Sequence, residues 1–461
     1  MLDTIENNAT KDTINTINAL HEAYLSQREL HKQLQIKTKS ISREIGEARR
    51  KQAPFDSLIQ NMKEKGQELS CASKKLEQAE QRLLSFFNLE TETQHNDSSD
   101  NKSSNQVRYK EKKHTTSYLS ISIESLDSEE AEWNQYVENN PSASIYHRTE
   151  WRHLISKNFA HESYYLFAKD HNANIVGILP LMRLKSRIFG DFLISMPYFN
   201  YGGPIGDQPE IEQLLIESAN KLGSSLPIEH IEYRDDISRA DMPARSNKVN
   251  MILELPSTSS ELWHKIGSKL RAQVKRPQRE NPQVEISGIE LIDDFYAVFA
   301  RNMRDLGTPV YGKSFFENIL QSFPDQSRII VIRLKNRPVS AGFLLGHKYT
   351  LEIPWASTLR DVNHLSINML LYWEILKFAI DNDYKYFDFG RSSKESGTFR
   401  FKQQWGAKPK QLYWHYWLAD HAELPRLNPD NPKYALAITL WKRLPIFITK
   451  WLGPHIVKNL P

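Results

Sequence analysis

A single cysteine, Cys71, stands in 461 residues, so no disulfide framework holds this chain together and a reducing compartment suits it. No stretch of about 18 apolar residues occurs, which argues against a bilayer-spanning helix. The opening MLDTIENNATKDT has neither a cationic start nor an apolar core, so a secretory leader is not expected. Charge of one sign is also lacking. Sixty Lys and Arg against 56 Asp and Glu leave a formal net charge of +4, too little by itself to mark a nucleic-acid binder. His147, His153, His161 and His364 are scattered, with no His/Cys spacing suited to a metal and no Cys–His pair for nucleophilic catalysis. The expectation is a cytoplasmic protein with no metal and no resident cofactor.

What is present concentrates in Tyr384–Lys408, YKYFDFGRSSKESGTFRFKQQWGAK. A short strand places Tyr386 and Asp388 on one face and Phe387 and Phe389 on the other. Gly390 permits a tight turn, and Arg391, Ser392 and Ser393 follow at the strand's C-terminal end. A polar loop through Gly397 leads to Phe399-Arg400-Phe401-Lys402 and then Trp405-Gly406. A carboxylate, a guanidinium and an ammonium at a strand–loop–helix corner suit a site. A buried Asp388–Arg391 pair that merely pins the corner accounts for the same residues equally well.

The run FDFGRS, then GTFRFKQQWGA, preceded by NMLLYWEILKFAID, resembles the C-terminal half of FemAB-type transferases, in the branch associated with PEP-CTERM exopolysaccharide systems. The similarity extends from Tyr118 to about the C-terminus. It implies an α/β (α+β) GNAT acyltransferase fold in two tandem copies, residues 118–256 and 257–418. It also implies transfer of an aminoacyl or acyl group, from aminoacyl-tRNA, to an amine on a cell-envelope or exopolysaccharide precursor. Phe401-Lys402 matches the family's Phe-Lys pair, which implies contact with the tRNA acceptor end and stabilisation of charge at the reacting carbonyl by Lys402. Arg391, with Ser392 beside it, is assigned to an anionic substrate group. Asp388 orients Arg391 or serves as base.

Two loops and a basic patch complete the expected cleft. Tyr201-Gly202-Gly203 resembles the family's loop at the acceptor cleft, although a tight turn alone needs glycine. Arg304 to Tyr311, RDLGTPVY, resembles a second cleft wall. Lys269 and Arg271, with Lys275, Arg276 and Arg279, resemble a patch suited to an anionic donor or acceptor; a solvated basic helix explains them too. The turn Thr358–His364 contains no glycine. GNAT enzymes that use acetyl-CoA place a glycine-rich turn there for the pyrophosphate, so this turn argues against coenzyme A.

Residues 1–89 read as an antiparallel helical hairpin. Leu20, Gln27, Leu34, Ile41 and Ala48 recur every seven residues, as do Phe55, Met62, Leu69, Leu76 and Leu83, with Pro54 between the two runs. Arg43, Arg49, Arg50 and Lys51 crowd the tip. SISREIGEARRKQAPFDSLIQNMKEKGQEL is similar to the tRNA-binding arm of seryl-tRNA synthetases, which implies that these four bind RNA, serine tRNA in particular. A dimerisation coil with solvated charges fits the same pattern. Residues 90–117 are polar enough to predict a disordered linker. Residues 419–461 carry Trp441, Phe447 and Trp451 among Lys442, Arg443 and Lys450. They suit either packing on the body or a peripheral membrane contact. Beside the transferase reading stand an acyltransferase fed by another thioester and a non-catalytic pair that binds tRNA or protein.

Overall fold

The computed structural model describes residues 122–186, 190–239, 242–420, 422–425 and 441–460, and ahead of them 29–45 and 56–93, with a few isolated positions besides. The chain falls into two compact units, residues 1–106 with 429–440, and residues 107–428 with 441–461.

In the smaller unit residues 29–45 are helical, and a second helix spans Asp56–Thr93. His31 Nε2 lies 3.1 Å from Ser73 Oγ. The two helices thus meet through these side chains. Leu34 and Ile41, both in the first heptad row, are buried, and so is Ala72. Arg43 and Arg50 are exposed, whereas Arg49 and Lys51 lie outside the described residues, as does the expected linker beyond Thr93.

The described residues of the larger unit form three sheets. The first half builds a four-stranded sheet (Ser122–Ser125, Leu166–Lys169, Ile175–Leu179, Ile205–Gly206, in that spatial order) and most of a six-stranded one. The second half builds a seven-stranded sheet, in the order Gln283–Ser287, Ser327–Leu334, Arg337–His347, Thr350–Thr358, Tyr386–Ser393, Lys248–Glu254, Lys408–Gln411. Ile329, Ile330, Val331 and Ile332 are all buried in succession, so helices cover both faces of this sheet. One of them, Ile292–Leu306, carries Asp293 and Asp294 in its first turn and ends at Gly307, whose φ of 85° only glycine adopts cheaply. The other, Ile367–Asp381, is apolar nearly all round, as a helix buried between neighbours must be.

Both halves follow one plan. An antiparallel meander is followed by a helix that crosses over to a parallel strand. In the first half, Pro209–Ser225 links Gly190–Ile194 to His230–Asp235; in the second, Ile367–Asp381 links Thr350–Thr358 to Tyr386–Ser393. The halves also exchange strands. Lys248–Glu254, which falls within the expected first copy, residues 118–256, pairs between Tyr386–Ser393 and Lys408–Gln411. Tyr413–Leu418 in return pairs between His230–Asp235 and Ala244–Arg245 of the six-stranded sheet. The expected division after Pro256 is thus crossed in both directions.

No helix among the described residues is long and apolar enough to cross a membrane. The helix Ile446–Val457 packs against Ile292–Leu306, with Thr449, Gly453 and Val457 buried. A Cβ on Gly453 would stand 2.6 Å from the Val310 carbonyl oxygen, which shows how closely the helix is seated.

After Gly190–Ile194 the chain enters a strained loop, with Met196 at φ 55°, Tyr198 at φ 75° and Gly202 at φ 144°. Such conformations persist only where surroundings over-determine them. Here the Gly203 N–H donates to Arg234 O at 2.8 Å. His147 Nδ1 accepts from Ser144 N–H, so its Nε2–H donates to Gly203 O at 3.0 Å. A Cβ at Gly202 would lie 2.5 Å from the Met196 Cβ. Gly202→Ala should therefore cost on the order of 2 kcal/mol, seen as a lowered denaturation midpoint with an unchanged slope; a neutral result would show that the loop yields easily.

Candidate active site

The parallel strands Thr350–Thr358 and Tyr386–Ser393 pair only from Thr350–Tyr386 to Glu352–Asp388, although both continue well beyond. At the last paired position two carboxylates stand side by side in the opening between the strands. Asp388 and Glu352 are both buried.

Each acceptor of Asp388 is occupied. Oδ1 takes the Gly390 N–H at 2.7 Å; Oδ2 takes Asn250 Nδ2 at 2.7 Å and the Tyr201 hydroxyl at 3.3 Å. Asn250 also donates to the Tyr201 oxygen. Glu352 accepts the Tyr146 hydroxyl at 2.7 Å. Lys402, buried on the helix Gly397–Gln403, reaches back to the corner and donates to Gly390 O and Arg391 O, both at 2.9 Å. Ser396 caps that helix by accepting the Phe399 N–H, which fixes where Lys402 starts. The cluster therefore draws Tyr146 and Tyr201 from the first half, Asn250 from the exchanged strand, and Glu352, Asp388 and Lys402 from the second.

Its electrostatics follow from burial. Desolvation pushes the Asp388 carboxyl up to about 6, opposed by the Gly390 N–H, the Lys402 charge and the bonds from Tyr201 and Asn250. Glu352 is raised well above the usual carboxylate range, by burial and then by Asp388 beside it. Desolvation lowers the Lys402 ammonium to about 8, with the two carboxylates resisting and Arg391 assisting. At neutral pH Asp388 is largely ionised and Lys402 largely protonated. Those two groups carry one charge of each sign. This base and this acid straddle neutrality, as proton transfer at pH 7 demands.

Asp388 and Arg391 form no pair, whether to pin the corner or to orient the guanidinium. Opposite Asn250 and Ile252 stand Arg391 and Asp388, so the strand carries one extra residue at the Gly390 turn, whose φ is 76°. That bulge sends the Arg391 guanidinium to the Trp414 indole, 4.7 Å from its centroid, while Asp388 turns to Asn250. Arg234 lies over the same indole at 4.3 Å. More than a third of Arg391 is open to solvent, yet the enclosure of its guanidinium and then the neighbouring Arg234 lower its proton affinity. Among the described residues Arg391 has no ion pair, whereas Arg234 bonds Glu232 at 2.8 Å and the Phe199 carbonyl at 2.5 Å. Trp414 Nε1 and Asn250 Oδ1 are buried without partners.

The other expected residues divide. Tyr201 joins the cluster. Tyr311 lies in the aromatic wall with Tyr198, Phe315 and Trp355, near enough to Arg234 and Arg391 to feel both charges. Phe401 packs edge-on against Tyr372 at 5.0 Å, so its ring is part of the wall behind Lys402. Ser392 is buried, with Oγ unpartnered, on the strand position opposite Val249. Three assignments are not supported by position. Arg304 bonds Asp305 and the Leu444 carbonyl, holding the C-terminal segment. Arg271 is used up on the carbonyls of Trp263 and Ile266, closing the end of the helix Ser259–Lys265. Lys269 is exposed on the helix Ser268–Gln278, which packs on Ile367–Asp381, and makes no contact with the cluster. In each case a nearby carbonyl, carboxylate or solvent satisfies the cation locally.

Sequence reasoning missed Glu352, Tyr146, Asn250, Arg234 and Trp414. Glu352 in LEIPWAS and Asn250 in VNMILEL carried a signal, each being a polar residue inside an apolar strand run. Tyr146 carried none. A hollow of about 350 Å³ lies elsewhere, lined by Gln278, Asn281, Pro282, Val284, Leu370 and Glu374, none of them in the cluster. Among the described residues no group of His, Cys, Asp or Glu is placed to hold a metal.

Residues 268–403 match the family model described as an acetyltransferase (GNAT) domain. The match takes in Glu352, Asp388, Arg391 and Lys402 and less than a third of the chain. No curated protein matches the sequence. Among solved structures, FemX superposes with a TM-score of 0.48 at 13% identity, over 63% of this chain and 96% of that one. L-PGS from Bacillus licheniformis gives 0.41 at 12%, over 67% and 98%. A tandem GNAT protein from the clavulanic acid biosynthesis pathway gives 0.41 at 11%, over 65% and 98%. Superpositions this loose transfer no function. The α/β tandem GNAT-like architecture expected from the sequence is the one observed.

The raised carboxyl of Asp388 has a thermodynamic signature. Between about pH 4 and 6 the folded state retains a proton that the unfolded state has released, so stability falls as pH rises through that window. Asp388→Asn removes this contribution. The stability difference between variant and parent should shift by about 2–3 kcal/mol in the variant's favour from pH 4 to pH 6, measured by urea denaturation at each pH. A constant difference would mean that Asp388 is not held protonated.

Proposed function

We propose that this chain is an acyltransferase that moves an aminoacyl group from an ester donor to an amine, forming an amide on a cell-envelope or exopolysaccharide precursor. The observation that carries the reading is the buried Asp388–Glu352–Lys402 cluster at the parting of two parallel strands, within the segment that matches an acetyltransferase domain. The acceptor amine attacks the ester carbonyl and its proton passes to Asp388. The carbonyl oxygen gains the negative charge that the Lys402 ammonium faces; the ester C–O bond then breaks, and its oxygen leaves with the proton. Positioning and a preorganised charge supply most of the acceleration in such a step. Arg391, spread over Trp414 and without a carboxylate partner, receives an anionic group of donor or acceptor.

The proposed donor is aminoacyl-tRNA, with serine tRNA preferred. Two observations favour it over a coenzyme A thioester. Residues Arg360–Leu365 before the helix Ile367–Asp381 form a 3-10 turn with Leu359 and Val362 buried and no glycine to cradle a pyrophosphate. Arg43 and Arg50 are exposed on the helical hairpin, where they can meet RNA phosphates.

With serine-charged tRNA as donor and a fixed amine acceptor, kcat/KM should rise with pH through about 6 and fall through about 8. Lys402→Arg should move the alkaline limb upward, and Asp388→Asn should remove the acid limb while lowering the rate by about 10²–10⁴-fold. A flat profile, or turnover with acetyl-CoA in place of the tRNA, sinks this reading.

Removal of residues 1–89 should raise KM for the charged tRNA far more than it lowers kcat, because a tethered arm adds donor affinity without touching the chemistry. A truncated protein that turns from dimer to monomer in sedimentation, with KM unchanged, would identify the arm as a dimerisation device instead.

A further inference from the structure

The C-terminal helix Ile446–Val457 presents two opposite stripes. Thr449, Gly453 and Val457, spaced by four, face the body and are buried. Phe447, Trp451 and His455, in the same spacing but offset by two residues and hence by about 200°, face outward. Phe447 is 73% and Trp451 55% exposed, among the most open large apolar side chains of the described residues. Half-buried Ile448 and Leu452 flank them. Residues 441–460 contain Lys442, Arg443, Lys450 and Lys458 and no Asp or Glu. Lys450 lies 5.1 Å from the Tyr296 ring, while Lys442 and Arg443 are exposed at the helix entrance.

We propose that this outward stripe is an interfacial anchor that seats on an anionic lipid surface. The helix is too short to span: twelve residues measure about 18 Å against a hydrocarbon core of about 30 Å. An aromatic pair in a basic setting is what a helix lying in the headgroup region requires, the rings entering the acyl boundary and the cations meeting anionic headgroups. A second copy of this chain is a poor occupant, because it would bring a segment of four cations and no anions against its equal. The inner stripe keeps the helix fixed to the body, so insertion of the outer rings needs no unfolding. The inference does not depend on the proposed reaction.

The test is sedimentation of the full-length protein with vesicles of phosphatidylcholine alone or mixed equally with phosphatidylglycerol. Binding to the mixed vesicles, weakening with salt and slight with phosphatidylcholine alone, is expected. Phe447→Ser with Trp451→Ser should cut the partition coefficient at least about tenfold without lowering the melting temperature, since neither ring is buried. A matching double variant on the hairpin, Arg43→Gln with Arg50→Gln, should bind the vesicles as the parent does. The proposal falls if the parent stays in the supernatant at low salt. It falls equally if the Ser variant pellets like the parent, or if the Ser substitutions dissociate a dimer while vesicle binding is absent throughout.

Discussion

The burial of opposite charges at one corner sets the terms for the rest of this body. Lys402 is desolvated, and so are Asp388 and Glu352, and none of the three would be tolerable there alone. The lysine binds two main-chain carbonyls of the corner it charges, so the same ammonium holds the turn and sets the field within it. Deleting it would leave Asp388 a buried anion without compensation, so structural and electrostatic roles cannot be separated at this residue. The corner in turn needs Gly390 at φ 76° to insert the extra residue that separates Asp388 from Arg391.

The two halves make different use of one topology. In the first, Gly190–Ile194 and His230–Asp235 last pair at Ile194–Glu232, the place that Glu352–Asp388 takes in the second. Glu232 is buried too, but Arg234, two residues along its own strand, and the Tyr416 hydroxyl satisfy it. That carboxylate is spent on structure. Asp388 is left with a lysine whose own proton is loosely held. The exchange of Lys248–Glu254 for Tyr413–Leu418 then ties the halves together at the site, since these strands bring Asn250 to Asp388 and Trp414 to Arg391. Folding of either half alone would leave the cluster incomplete.

Local patterns determined what could be read beforehand. The heptad runs of residues 20–83, the apolar helix Ile367–Asp381 and the segment FDFGRS…FRFK each depend on residues near in sequence, and each indicated its element. The α/β tandem architecture, and Asp388, Tyr201 and Lys402 as members of one region, followed from those stretches and the resemblance they carry. The partners of those residues did not. Glu352 lies 36 positions from Asp388 and meets it only because a crossover helix returns the chain to a parallel strand. Asn250 reaches it only through strand exchange, and Tyr146 only because a 3-10 turn of the other half packs there. Conversely, Arg271 and Arg304 have the composition of a cleft but find carbonyls close by that satisfy them first. The sequence by itself determined which residues carry charge and which segments form helices or strands. The tertiary structure alone decided which charges lose water together, and that loss of water, being collective, sets the proton affinities on which any chemistry here depends.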